Sequence, residues 1–108
     1  MNSPMTTLER AVLQLVADHS WPHFSVESVD VVRREHTGVG RYTYLVDHAK
    51  QSIPDGTYGA AAHVIQMEGV PNGLFFVVEV SGDRVLYIEI VSCGGETWDG
   101  SERSWTIA

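Results

Sequence analysis

The segment from Gly73 to Gly100, GLFFVVEVSGDRVLYIEIVSCGGETWDG, constrains the fold more than any other stretch of the chain. Two apolar runs, Leu74 to Val80 and Val85 to Val91, flank Ser81-Gly82-Asp83-Arg84, the pattern of an antiparallel hairpin. On the first run Leu74, Phe76, Val78 and Val80 share a wholly apolar face, and Phe75, Val77 and Glu79 share the other. On the second, Leu86, Ile88 and Ile90 are apolar, opposed by Val85, Tyr87, Glu89 and Val91. Directly paired residues must lie on one face of a sheet. A two-residue loop would pair Val80 with Val85 and set the two faces against each other. An odd loop of about three residues, Ser81–Asp83 or Gly82–Arg84, restores agreement. Either loop brings Glu79 and Glu89 out on the same side as Tyr87. The Gly82–Arg84 register separates the two carboxylate positions by roughly 8 Å, the other by roughly 14 Å.

Elsewhere the periodicity changes. Thr6-Thr7-Leu8-Glu9 fits a capping box, and Leu8, Ala11, Val12, Leu15 and Val16 follow at the spacing of one helical face. Ser20-Trp21-Pro22 ends that helix, because proline lacks a donor and restricts the residue before it. Val26 to Glu35 is rich in β-branched residues, and Thr37-Gly38-Val39-Gly40 breaks it as a turn. From Arg41 to Val46 the residues alternate, with Tyr42, Tyr44 and Val46 on one side and Arg41 and Thr43 on the other. Pro54-Asp55-Gly56 and Gly69 to Gly73 read as turns around a strand from Ala60 to Met67, and Ser104 to Ile107 reads as a last short strand. These elements predict a single α+β domain, with one N-terminal helix packed on an antiparallel sheet of about five strands. One helix leaves much of a sheet face uncovered. Phe75, Val77, Tyr87 and Val91 make that face too apolar to stay wholly wet, which predicts a homodimer through the sheet surface.

The charge is uneven. Seven basic residues stand against fourteen acidic ones, giving a net charge of -7. Up to Pro54 the count is five basic and six acidic; from Asp55 it is two and eight. That imbalance disfavours nucleic acid and anionic membranes, which need clustered Lys and Arg, and favours a basic protein partner. The lone Cys93 forms no intrachain disulfide, and the N-terminal residues lack the basic and apolar regions of a signal peptide. The longest apolar run, Leu74 to Val78, is far short of a membrane span. The expectation is a cytoplasmic protein.

Several residues are candidates for chemistry. Glu79 and Glu89 beside Tyr87 could share protons or hold a cation, or be the polar residues of a solvated sheet face. Cys93 precedes Gly94-Gly95, whose backbone N–H groups could serve an oxyanion, but no cysteine-enzyme signature surrounds it, and a lone Cys is commonly a small buried hydrophobe. His19 and His23 stand four apart, yet Pro22 between them removes the helical geometry a metal would need, and His36, His48 and His63 form no metal motif. No metal or cofactor is expected. Gly38-Val39-Gly40 is a turn and not a dinucleotide fingerprint, since a strand follows it. Glu96, Asp99 and Glu102 lack the spacing of a calcium loop. Trp98 among them either folds onto the core or serves as an exposed anchor.

Arg34-Glu35-His36-Thr37-Gly38-Val39-Gly40-Arg41-Tyr42-Thr43, with Gly73-Leu74-Phe75-Phe76, the Gly82 turn and Glu89 downstream, resembles a group of small, functionally uncharacterised bacterial single-domain proteins. Arg41 interrupts the aromatic positions that follow the glycines in that group. The resemblance implies an immunity or accessory role and no catalytic residue. The leading expectation is therefore a non-enzymatic protein-binding module. Glu79, Tyr87, Glu89, Glu96, Trp98 and Asp99 are its contact residues, with Trp98 as anchor and Glu96, Asp99 and Glu102 as polar rim. The alternative is a small-molecule site or enzyme built on the Glu79/Glu89 face or on Cys93.

Overall fold

The structure is a computed structural model and describes residues 2–59 and 62–108. The chain enters helix α1 (Thr7–Ser20) through the expected capping box. Thr6 Oγ1 accepts from the Glu9 backbone N–H at 3.1 Å, and Glu9 Oε1 accepts from the Thr6 N–H at 2.9 Å. Trp21 closes the helix with its N–H on the Ala17 carbonyl, and Pro22 prevents another turn. The buried stripe is Leu8, Glu9, Val12, Leu13, Val16 and Ala17. It is rotated from the predicted one, since Ala11 and Leu15 are only half-buried.

Seven strands follow among the described residues: β1 (Val29–His36), β2 (Gly40–Asp47), β3 (Gly56–Gly59), β4 (Ile65–Met67), β5 (Val70–Ser81), β6 (Arg84–Ser92) and β7 (Trp105–Ile107). They form one sheet in the order β1-β2-β6-β5-β4-β7, and β3 also pairs with β5. Every pairing is antiparallel. The architecture is the expected α+β, one helix on a sheet, with more strands than the five predicted. One strand is added and another is longer than read. Strand β3 starts at Gly56, inside a stretch read only as a turn. Strand β5 begins at Val70, because the turn after β4 is confined to Glu68-Gly69 and the Pro71–Gly73 stretch lies within the strand, between the paired Val70 and Leu74. A bulge there accommodates Pro71, which has no N–H to donate. Gly73, with φ +75°, admits no side chain, since a Cβ would lie 2.7 Å from Val64 Cγ1 and 2.8 Å from the Ile65 carbonyl. Of the predicted Ala60–Met67 strand, Ala60 and Ala61 lie outside the described residues, and the strand itself covers Ile65–Met67.

The β5-β6 hairpin keeps the predicted faces and changes how they are reconciled. Its loop has two residues, Gly82 and Asp83, both with φ near +60° (64° and 62°), the conformation of a type I′ turn. Val80 therefore pairs with Val85, the arrangement that mismatched the alternation. A bulge at Leu86 corrects it one step later, so that Glu79 pairs with Tyr87 and Val77 with Glu89. Val85 is buried and Leu86 is 39% exposed, the reverse of the predicted assignment. Beyond the bulge the register equals that of the Gly82–Arg84 loop, the closer of the two carboxylate spacings.

A second bulge acts on β1. Val31 pairs with Leu45 and Arg33 with Tyr44, leaving Val32 extra and 51% exposed. The alternation is reversed beyond it, which turns Arg34 to the inner face beside Thr43 and sends Arg33 and Glu35 outward. Helix α1 packs over the inner face against β3 and β5. The core lies between them, with Leu74, Phe76, Val78, Ile88 and Ile90 beneath Leu8, Val12 and Val16.

Candidate functional site

Polar side chains gather on both faces of the sheet, in opposite conditions. On the inner face the fully buried Glu9 carboxylate receives five hydrogen bonds. Oε1 accepts from the Thr6 N–H and from Arg34 Nη2 at 2.7 Å. Oε2 accepts from Arg34 Nε at 2.8 Å, Arg41 Nη2 at 2.8 Å and Thr43 Oγ1 at 2.7 Å. Arg41, 3% exposed, also donates to Glu102 at 2.7 Å and to the Gly100 carbonyl at 2.8 Å, with its guanidinium carbon 5.4 Å from the Trp98 ring centroid.

Burial alone pushes the Glu9 carboxyl up. Hydrogen bonds from Arg34, the Thr6 backbone and Thr43, together with the Arg41 charge, more than reverse this and lower its pKa from 4.5 to about 2. The same bond raises the Arg34 pKa above its ordinary value. The Glu9 oxygens are saturated and the group is closed to solvent, so it ties helix, sheet and C-terminal segment together and offers nothing to a substrate. It also explains Arg41, whose guanidinium anchors the chain around Gly100 and Glu102.

The outer face is open. Across five strands, Arg33, Tyr44, Tyr87, Glu79 and Thr57 form one cross-strand row, and Glu35, Tyr42, Glu89, Val77 and Gly59 form the next. Ring centroids of Tyr42 and Tyr87 are 5.3 Å apart, those of Tyr44 and Tyr87 5.8 Å, both edge-to-face. Arg33 lies over Tyr44, its guanidinium carbon 4.0 Å from the centroid. Thr57 donates to Glu79 at 2.5 Å. Hydrogen bonding to Glu89, then its charge, raises the Tyr42 pKa. Partial burial, then the charges of Glu79 and Glu89, raises that of Tyr87. The Tyr42 and Tyr87 phenols therefore stay protonated at neutral pH. Phe75, 45% exposed, and Val91 continue the face toward the Gly40 end of β2.

The six predicted contact residues divide between two places. Glu79, Tyr87 and Glu89 meet on the outer face as expected. Trp98 does not serve as an exposed anchor: it is 2% exposed, in the core, with Nε1 donating to the Ser101 carbonyl at 2.9 Å. Its packing against Arg41 puts it on the inner side of the sheet, so of the two readings the core one is observed. Glu96 accepts from the Asn72 N–H at 3.0 Å. Asp99 accepts from Ser101 and Arg103, and the Ser101 bonds chiefly lower its pKa. Glu102 is held by Arg41 and is not a free rim carboxylate.

Sequence reasoning placed Tyr42 and Tyr44 together but did not join them to Glu79 and Glu89, since β2-β6 pairing leaves no local signature. It also missed the Glu9–Arg34–Arg41 group. The available signal was the alternation of Arg41 and Thr43 with the two tyrosines.

None of four surface clefts is lined by Glu79, Tyr87, Glu89 or Cys93. Cys93 is a half-buried free thiol. Among the described residues no cluster of three or more His, Cys, Asp or Glu is arranged to hold a metal, and no helix is long and apolar enough to cross a membrane. No family model, curated protein or solved structure matches the chain.

Proposed function

We propose that the protein is a non-enzymatic binding module that engages a protein partner through the outer face of its sheet. The observation that carries this reading is the tyrosine cluster of Tyr42, Tyr44 and Tyr87, flanked by exposed Phe75 and by two carboxylates, with no helix over it among the described residues. Aromatic residues rich in contact area and fixed by their neighbours are the usual anchors of protein interfaces. The face is a broad sheet surface and not a pocket around a nucleophile, which favours a macromolecular partner over a small substrate. An immunity or accessory role, in which the acidic chain masks a basic protein, is the form of this function that suits its charge.

A photo-crosslinking side chain at Phe75 tests the proposal in cells that express the full chain. It should trap a discrete partner, which then binds the purified protein. The Tyr42→Ala variant should weaken that binding by at least about tenfold while circular dichroism stays unchanged. Crosslinking at Phe75 no stronger than at exposed Asp18 on helix α1, on the other side of the sheet, would refute it.

A further inference from the structure

The outer face holds one cation and three anions in its two central rows: Arg33 against Glu35, Glu79 and Glu89. Arg33 is already engaged, stacked on Tyr44 and 3.5 Å from Glu35. Glu79 and Glu89 have no cationic partner among the described residues. Their positions are diagonal neighbours on adjacent strands, roughly 7–8 Å apart. Tyr87 lies directly opposite Glu79, and Tyr42 directly opposite Glu89. Two carboxylates bracketing aromatic rings present what a cationic side chain favours, charge-assisted hydrogen bonds together with the negative faces of the rings.

Resting on the reading that this face is the docking surface, we infer that the partner enters it with an arginine or lysine side chain seated at Tyr87 and Tyr42 between Glu79 and Glu89. Arg33 on Tyr44 shows the same pairing of cation, ring and carboxylate made within the chain, one strand away. The net charge of -7 reinforces the choice of a basic segment. A second copy of this chain is the less suitable occupant. Stacking two outer faces would bring two sets of Glu35, Glu79 and Glu89 together with one arginine from each side, and like charges across an interface are penalised.

The test is a nuclear magnetic resonance titration of the full chain with a short alternating arginine–serine peptide, and with the same peptide carrying neutral citrulline for each arginine. The arginine peptide should shift the backbone signals of Tyr42, Glu79, Tyr87 and Glu89. Citrulline should weaken binding by at least about tenfold, as should the Glu79→Gln/Glu89→Gln pair. Glu96→Gln with Asp99→Asn removes the same charge from the C-terminal loop and should change affinity by less than about twofold. Thermal melts of both double variants establish that they remain folded.

An equal loss in the loop variant overturns the inference, because attraction is then merely to net charge. Equal binding of the citrulline peptide at the face also overturns it, yet leaves the docking surface standing. Absence of shifts on the face with the arginine peptide overturns it as well, while crosslinking at Phe75 decides the docking reading separately. Tyrosine shifts that depend on protein concentration without peptide would identify a second copy as the occupant instead.

Discussion

The two faces of one sheet carry the same kinds of residue and use them oppositely. Inside, Glu9 meets Arg34, Arg41 and Thr43, and every carboxylate lone pair is directed at a donor. Outside, Glu79 accepts from the Thr57 hydroxyl, Glu89 stands by Tyr42, and neither meets a cation among the described residues. The inner group was assembled with the fold, so its charges stabilise only while all partners are present. The outer group was left with unspent charge and ring surface. Glu9 is therefore structural, buried among arginines and a threonine, while Glu79 and Glu89 remain available on the open side beside neutral side chains.

The strongest way to break this contrast is Glu9→Ala. It removes one of the two carboxylates that hold buried Arg41, leaving it only Glu102 and the Gly100 carbonyl, and leaves Arg34 without its bidentate acceptor. Breaking such a buried ion-pair group costs about 3–5 kcal/mol. For a domain of this size the melting temperature should drop by more than about 12 °C. The same change in an outer carboxylate, Glu79→Ala, should shift it by no more than about 4 °C. Comparable losses at the two positions would show that the inner group is not the structural one.

Acid gives the next largest effect. The folded Glu9 pKa, about 2, lies below the unfolded value near 4.5. Between those values the unfolded chain binds more protons, so folding stability rises with pH through the window. The contribution is fully present above about pH 4.5 and is lost as pH falls toward 2. It amounts to about 3 kcal/mol. Urea unfolding measured across this range should show the loss in the native sequence, and Glu9→Gln should flatten that part of the profile. An unchanged profile in Glu9→Gln would assign the acid sensitivity to other carboxylates.

Much of this architecture was legible because it is local. The capping box and the proline stop depend on neighbours within a few residues and appear where predicted, and the period-two runs locate the long strands although bulges at Val32 and Leu86 break their alternation. The placement of Glu79, Glu89 and Tyr87 on one face was also legible, from the rule that paired residues share a side. What escaped was non-local. Nothing near Glu9 announces that Arg34 and Arg41, far along the chain, will converge on it, and the bulge at Val32 that turns Arg34 inward looks like ordinary β-branched sequence. Trp98 was ambiguous for a related reason: its burial depends on Arg41 and the Gly38 carbonyl, to which the Trp98 backbone N–H donates at 2.9 Å.

The smallest predicted effect tests the bulge that decides which side of β6 belongs to which face. By alternation alone Leu86 joins Ile88 and Ile90 in the core, and Val85 faces outward with Tyr87. In the structure Val85 is 3% exposed and Leu86 is 39% exposed, because the type I′ turn at Gly82-Asp83 and the bulge at Leu86 together exchange them. Threonine is nearly isosteric with valine, so Val85→Thr preserves packing and buries a hydroxyl without an assigned partner, which costs about 1–3 kcal/mol. Leu86→Thr, on the open side, should stay within about 0.5 kcal/mol of the native protein. Chemical denaturation of the two variants therefore orders them, Val85→Thr the weaker. The reverse order would mean a three-residue loop and no bulge. The register beyond the turn would be the same for the Gly82–Arg84 loop, so Glu79 and Tyr87 would still be paired. A loop of Ser81–Asp83 would instead move the two carboxylates roughly 14 Å apart, too far for one side chain to lie between them.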